Sequence, residues 1–273
     1  MTEQTDYLLG HDDAALARLE RQAQMLAPAT GAILGLAGIT KGMRVLDLGT
    51  GAGDVALLVT EMVGPEGSVV GVDRAGEALE WAAKRAAARG LPNVSFIEGD
   101  VHDVDVSGPF DAVVERLVLV YTPDPAAVLA RCATMLASGG VMVAMEYEMN
   151  AAGSIPPLPL SSRGISWIIE SFTRAGHDPA LGARLDRVFD EAGMPGASML
   201  GVQDYLPPDD EWAGEMVAGV IQALLPAIEQ TGVATAGEVD IDTFATRLNA
   251  EISAADAIFK PPTLVGAWAH TGG

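Results

Sequence analysis

Val45-Leu46-Asp47-Leu48-Gly49-Thr50-Gly51-Ala52-Gly53-Asp54 is a short β-type apolar run that ends in three alternating glycines and leads into a helical stretch, Asp54–Val63. Glycines at such a turn let the chain reverse tightly and let a ligand come close to the main chain. A plain tight turn would use the same residues, so the neighbouring segments have to decide. In the dinucleotide fingerprint G-x-G-x-x-G the third glycine falls one residue later, where this chain has Asp54. An acid there would sit at the positive end of the helix dipole, where a pyrophosphate binds. A nicotinamide cofactor is disfavoured on that ground.

Working outward, apolar runs of strand type recur at Met43–Leu48, Ser68–Asp73, Val94–Ile97, Asp111–Val114 and Gly140–Met145. Helical stretches fall between them at Asp54–Val63, Ala75–Arg89 and Pro125–Leu136, the last opened by Asp124 as N-cap with Pro125 in the first turn. Strands alternating with helices at this spacing predict an α/β fold with a doubly wound, mostly parallel sheet. Upstream, Leu16, Leu19, Ala23 and Leu26 share a helical face; Pro28 is expected to end that helix, and a second short one to run from Ala29 to Ala37. Downstream of Glu148 the rhythm breaks. Ala151–Ser162 holds three prolines and no charge and reads as a loop or lid. A helix bearing Leu181, Leu185, Val188 and Ala192 follows, then a strand at Ala197–Val202, two helices over Glu211–Glu229 (broken at Pro226) and Ile241–Phe259, and a last strand, Thr263–His270. The two helices before the last strand read as an inserted cap.

Two further residues stand where a ligand would need them. Asp73 closes the second strand, about twenty residues past the loop, where a carboxylate accepts hydrogen bonds from both hydroxyls of a ribose. Gly99-Asp100-Val101 follows the third strand, where a side chain and a neighbouring N–H can read an adenine edge. Each has a bland alternative, a strand-end cap or a turn. Their succession along the carboxyl edge of the sheet, the ligand-binding edge of doubly wound folds, favours the site.

With these pieces in place, Met43–Glu148 resembles the class I S-adenosylmethionine-dependent methyltransferases, and among them the ubiquinone/menaquinone-type small-molecule subgroup. The likeness rests on the glycine loop, Asp73, Gly99-Asp100, Phe110-Asp111-Ala112-Val113 and Leu136-Ala137-Ser138-Gly139-Gly140. It implies a seven-stranded Rossmann-like methyltransferase sheet with an N-terminal helical lid and a helical insertion before the last strand. It implies S-adenosyl-L-methionine as cofactor and S-adenosyl-L-homocysteine as product. Gly49, Gly51 and Gly53 would pack on the methionine part with Asp47 near its amino group, Asp73 would hold the ribose and Asp100 the adenine, with Thr50, Arg74 and Val101 as further cofactor contacts. Glu115 and Arg116 follow the fourth strand as further cofactor candidates. Gln24 in the lid segment could reach the cofactor carboxylate, although an exposed helix face accounts for it, and for Arg21, equally well. The Asn/Asp-Pro-Pro-aromatic run of exocyclic-amine methylation is replaced here by Glu115-Arg116-Leu117-Val118, and no cysteine stands where base C5-methylation would need one.

Composition limits the partners. Of 273 residues, 49% are hydrophobic, ample for a core, and the formal charge of −21 argues against nucleic acid. The acid is spread along the chain, with 10 basic against 21 acidic residues up to position 150 and 6 against 16 beyond. The lone Cys132 offers no disulfide and reads as core, and the scattered His11, His102, His177 and His270 offer no metal site. Met1–Asp6 lacks a basic signal-peptide region, and the uncharged run Gln22–Thr40 is interrupted by Pro28, so a cytoplasmic chain without a membrane span is expected.

A sulfonium is already a strong electrophile, so the protein's main task would be alignment, worth about 7–11 kcal/mol. A general base is needed only for an acceptor protonated at working pH. Glu146, at the end of the fifth strand, is the candidate, against the alternative of a carboxylate merely hydrogen-bonded there. Tyr7, His11, Tyr121, Trp167 and His177 are the candidate acceptor contacts, suited to a small aromatic or hydrophobic metabolite in a natural-product or quinone-like pathway. Whether carbon, nitrogen or oxygen is methylated stays open. The expected organisation is a single domain over 1–273, with a lid (1–40), a cofactor core (41–150) and cap helices with the last two strands (151–273); the inserted helices offer a homodimer face. The alternative function is a cofactor-binding protein that does not methylate, a sensor or a rearrangement or cyclisation catalyst on the same fold.

Overall fold

A computed structural model describes residues 13–103 and 106–272, giving the backbone alone for 13–20 and Gln22. In chain order the elements are α1 (Asp13–Leu36), β1 (Arg44–Leu48), α2 (Asp54–Val63), β2 (Ser68–Asp73), α3 (Gly76–Ala88), β3 (Val94–Glu98), β4 (Phe110–Arg116), α4 (Pro125–Ala133), β5 (Leu136–Glu148), β6 (Gly153–Ile155), α5 (Pro159–Arg174), α6 (Leu185–Glu191), β7 (Ser198–Val202), α7 (Trp212–Gln230), α8 (Ala236–Val239), α9 (Ile241–Ala254), β8 (Ile258–Lys260) and β9 (Thr263–His270). Seven strands form one sheet in the order β3-β2-β1-β4-β5-β9-β7, and β6 pairs with β8 in a second. The pairs β1–β2, β2–β3, β1–β4 and β4–β5 are all parallel. Strand order reverses between β1 and β4, and at such a switch point a crevice opens beyond the carboxyl ends of the strands. The glycine loop leaves β1 there.

The chain divides into two compact units. One comprises Ala23–Glu146, Gly182–Gly201 and the chain from Val265 onward, and holds most of the large sheet. Val45, Leu46, Leu48, Val113, Val114, Met142 and Val143 are buried in it, as expected of central strands covered on both faces. The other comprises Tyr147–Leu181, Val202–Leu264 and the part of α1 up to Gln22. Within it Trp167 of α5 lies on Phe244 of α9 with ring centroids 6.1 Å apart, and the Glu251 carboxylate accepts the Leu160 N–H at 3.0 Å and the Ser161 N–H at 3.2 Å. That carboxylate satisfies donors in the first turn of α5 and meets the positive end of its dipole. The unit limits fall at 22/23, 146/147, 181/182, 201/202 and 264/265.

Four expected boundaries are corrected. Pro28 does not end the first helix: α1 continues to Leu36, because Leu26, Thr30, Ile33 and Leu34 are buried on one face and outweigh the one hydrogen bond proline removes. Likewise Pro226 lies inside a continuous α7. Ala151–Ser162 is not a loop: it contains β6, paired with β8 through Ser154↔Phe259, and Pro159 opens α5. The helix expected to reach Phe259 stops at Ala254, and Ile258–Lys260 joins β6 instead.

Candidate functional site

The loop after β1 is tied down from three sides. Thr50 donates its hydroxyl to Asp47 at 2.6 Å and its N–H to the Val72 carbonyl at 2.9 Å, fixing the loop to β1 and β2. The Asp73 carboxylate then accepts the Gly51 N–H at 2.8 Å through one oxygen and the Ala75 N–H at 2.9 Å through the other. Arg85 reaches from α3 to the Ala52 carbonyl at 2.5 Å and pairs with Asp54 at 2.6 Å. Gly49 has φ 62°, and a Cβ there would lie 2.3 Å from Val118 Cγ2. At Gly51 (φ 51°) a Cβ would meet nothing within 4 Å, so the main chain at the middle of the loop borders open space. The loop is rigidly held and yet accessible at one point, as a ligand-cradling turn requires.

The other carboxyl-edge residues sort by burial. Asp73 is half-buried, and each of its oxygens keeps a lone pair beyond the one used by the backbone, so two hydroxyls can still be accepted. Asp100, also half-buried, accepts the His102 N–H at 2.9 Å and shapes the turn after β3; Val101 is half-buried and Arg74 exposed. Asp47 is only 1% exposed, and burial raises its carboxyl to about 7 despite the Thr50 hydrogen bond and the nearby Arg116 charge. It braces the loop from beneath through Thr50. Arg116 donates to the Thr30 hydroxyl of α1 at 2.9 Å, joining the helix to β4.

Two candidates are placed differently from what the sequence suggested. Glu115, expected at the cofactor, is fully buried, and accepts the Met145 N–H at 2.9 Å and the Val118 N–H at 3.2 Å. Glu146, expected as a base at the cofactor mouth, is 1% exposed and accepts the Val120 N–H at 3.1 Å. Burial pushes Glu146 up to about 8 and Glu115 well above the usual carboxylate range. A carboxyl that keeps its proton at neutral pH and faces inward is a poor proton acceptor for an incoming acceptor molecule. Both face the turn after β4, where Leu117 has φ 60°, a left-handed conformation costing a side-chain-bearing residue about 1–2 kcal/mol.

Among the remaining candidates, Gln24 is on an exposed face of α1, and Tyr121 ends a 3-10 turn, Leu119–Tyr121, half-buried. Trp167, a candidate acceptor contact, lies in α5 and is buried against Phe244. His177 lies 6.0 Å from the Phe172 ring, half-buried, in the unit that holds α5. Tyr7 and His11 lie outside the described residues. Cys132 is buried, its thiol pushed up to about 12 by desolvation. Among the described residues no group of three or more His, Cys, Asp or Glu could hold a metal ion, and no helix is long and apolar enough to cross a membrane. Sequence reading missed Arg85 and the facing of Glu115 and Glu146, and no local pattern marks either.

Residues 39–164 match a family model described as "Methyltransferase domain". The chain is 38% identical over 122 residues to the aklanonic acid methyltransferase DauC of Streptomyces sp. (strain C5), covering 43% of this chain and 54% of that one. It is 35% identical over 135 residues to the nocamycin O-methyltransferase of Saccharothrix syringae, covering 49% and 46%. The chain thus matches about half the length of these curated relatives. The fold is similar to that of a SAM-dependent methyltransferase from Aquifex aeolicus, with a TM-score of 0.50 at 18% identity over 63% of this chain and 82% of that one.

Proposed function

We propose that this chain, which through residues 39–164 belongs to the S-adenosylmethionine-dependent methyltransferases, transfers the cofactor's methyl group to a small aromatic or hydrophobic metabolite. The observation that carries this reading is the meeting of the clamped glycine loop, Asp73 and Asp100 at the carboxyl ends of β1, β2 and β3, neighbours in the sheet. The fit to an S-adenosyl group is supported by the open main chain at Gly51 and by the free lone pairs of Asp73. In this reading Gly49–Gly53 follow the amino-acid part of the cofactor, Asp73 accepts the ribose hydroxyls, and Asp100 with Val101 borders the adenine. The bound cofactor supplies an electrophilic methyl on a sulfonium. The protein's own contribution is to hold the acceptor atom in line, for which about 7–11 kcal/mol is at stake. Relatives whose names give aklanonic acid and nocamycin as their concerns support a natural-product acceptor. The surplus of acid, −21 overall, supports a small molecule rather than nucleic acid.

Calorimetric titration with S-adenosylhomocysteine tests the site. The wild-type chain is expected to bind in the micromolar range, and Asp73→Ala to weaken binding by at least about tenfold, the value of a hydrogen-bonded charged acceptor. Equal affinity in the two proteins overturns the site assignment. Incubation with methyl-labelled cofactor and a panel of phenolic, quinol and polyketide acceptors, read by mass spectrometry, tests the transfer itself. Binding without S-adenosylhomocysteine production across such a panel would favour the non-methylating alternative.

A further inference from the structure

The glycine loop is tied to both ends of α3. At the start of the helix, Asp73 accepts the N–H of its N-cap, Ala75, through Oδ1 and the Gly51 N–H through Oδ2. Farther along, Ala82 packs on the loop, so that a Cβ added to Gly53 would lie 2.9 Å from the Ala82 Cβ. In the last turn Arg85 forks onto the loop, donating from Nη1 to the Ala52 carbonyl at 2.5 Å and from Nη2 to the Asp54 carboxylate at 2.6 Å. The Gly53 N–H, on the other side of the same peptide unit, donates to the Thr50 carbonyl at 2.8 Å. The Ala52–Gly53 peptide is therefore pinned through both its C=O and its N–H.

A second ion pair joins the same part of the chain to α2, Arg89 to Glu61 at 3.4 Å, and it serves as an internal comparison. Its side chains are 47% and 53% exposed, against 17% and 20% for Arg85 and Asp54. An exposed, long pair contributes little, whereas a shielded guanidinium fork fixes geometry. The Arg85 fork also does more than dock one helix on another, because one of its two acceptors is a main-chain carbonyl of the loop itself. Only a planar guanidinium offers two such donors at once; a lysine ammonium is a single point of charge. We infer that Arg85 is a positioning residue for cofactor binding, which holds the Ala52–Gly53 peptide and so keeps the open main chain at Gly51 in the shape that receives the ligand. This inference rests on the reading of the glycine loop as an S-adenosyl site.

Calorimetric titration of the full chain with S-adenosylhomocysteine should show Arg85→Met weakened by about tenfold or more, the effect of losing charge-assisted hydrogen bonds that shape the site. Arg85→Lys, which reaches one acceptor of the two, should fall between that variant and wild type. Arg89→Met removes the comparison pair and should bind within about twofold of wild type. Hydrogen exchange gives a readout that a general loss of stability does not produce: in Arg85→Met the Gly51 and Gly53 amides should speed up by a larger factor than the amides of β1 and β4. Arg85→Met as tight as wild type, or Arg89→Met as weak as Arg85→Met, overturns the inference. Should Arg85→Met fail to fold, Arg85→Lys against Arg89→Met decides, and equal affinity in those two overturns it. A wild-type chain that binds no S-adenosylhomocysteine overturns the functional reading and the positioning role together, while exchange at Gly51 and Gly53 still tests whether Arg85 holds the loop.

Discussion

Among the described glycines with a left-handed backbone, Gly49 is the one whose added methyl would come closest to a neighbouring side chain. Gly49→Ala places a Cβ 2.3 Å from Val118 in a backbone at φ 62° and is expected to cost about 2–4 kcal/mol, overpacking added to the left-handed penalty. Gly51→Ala, at φ 51° in open space, should cost only the backbone part, about 1–2 kcal/mol. Urea unfolding of both variants checks this; equal losses would mean that the Val118 contact is not the cause. Titration offers a second prediction at this scale. Burial raises Asp47 from 3.8 to about 7, so the folded chain holds a proton there that the unfolded chain has lost. Its contribution is complete below the unfolded value and disappears as pH rises through the folded one. Between pH 4 and 7 the stability of the wild type relative to Asp47→Asn should fall by up to about 1.4 kcal/mol per pH unit; a flat difference refutes the burial argument. The glycines and Asp73 were legible in sequence because turn chemistry is local. Arg85 and the buried placement of Glu115 and Glu146 were not, because their partners come from other segments of the chain.

Elements repeat the lesson at larger size. Asp54–Val63, Ser68–Asp73 and Thr263–His270 were read to the residue, because glycine, proline and apolar runs punctuate them. Sequence pattern predicts a helix end at Pro28, yet α1 runs through it, because the turns on either side are held by burial. Since Pro28 is exposed and its ring removes one backbone bond, Pro28→Ala is expected to stabilise the chain by about 1–3 kcal/mol. A destabilised variant would show that the helix needs the proline's fixed backbone. Strands β6 and β8 escaped the sequence reading because three-residue strands have no period, and their pairing joins positions about a hundred residues apart. Helix α5 was also missed, its first turn supported by Glu251 from α9. Glu251→Ala should cost about 1–2 kcal/mol in denaturant unfolding, the worth of a lost helix N-terminal partner, while Glu251→Gln should lose less.

For the molecule as a whole, the formal charge of −21 on 273 residues means self-repulsion that salt screens. Raising sodium chloride from low concentration to 0.5 M is expected to raise the thermal midpoint by about 2–4 °C, equivalent to about 1 kcal/mol in a chain of this size; a fall would place net attraction among the surface charges. Division into two units was not visible in the sequence, since each gathers segments from distant parts of the chain and no linker composition marks the crossings. What the sequence by itself determined is the α/β rhythm, the doubly wound sheet, the glycine loop and the carboxylates at Asp73 and Asp100. Those features depend on periodicity and turn chemistry within a few residues. Only the tertiary structure decided that α1 runs through Pro28, that β6 finds β8, that Asp47 braces the loop from a buried position, and that Glu115 and Glu146 are buried against backbone N–H groups. Burial and pairing between strands and helices far apart in sequence govern those outcomes, and they come into being only when the chain has folded.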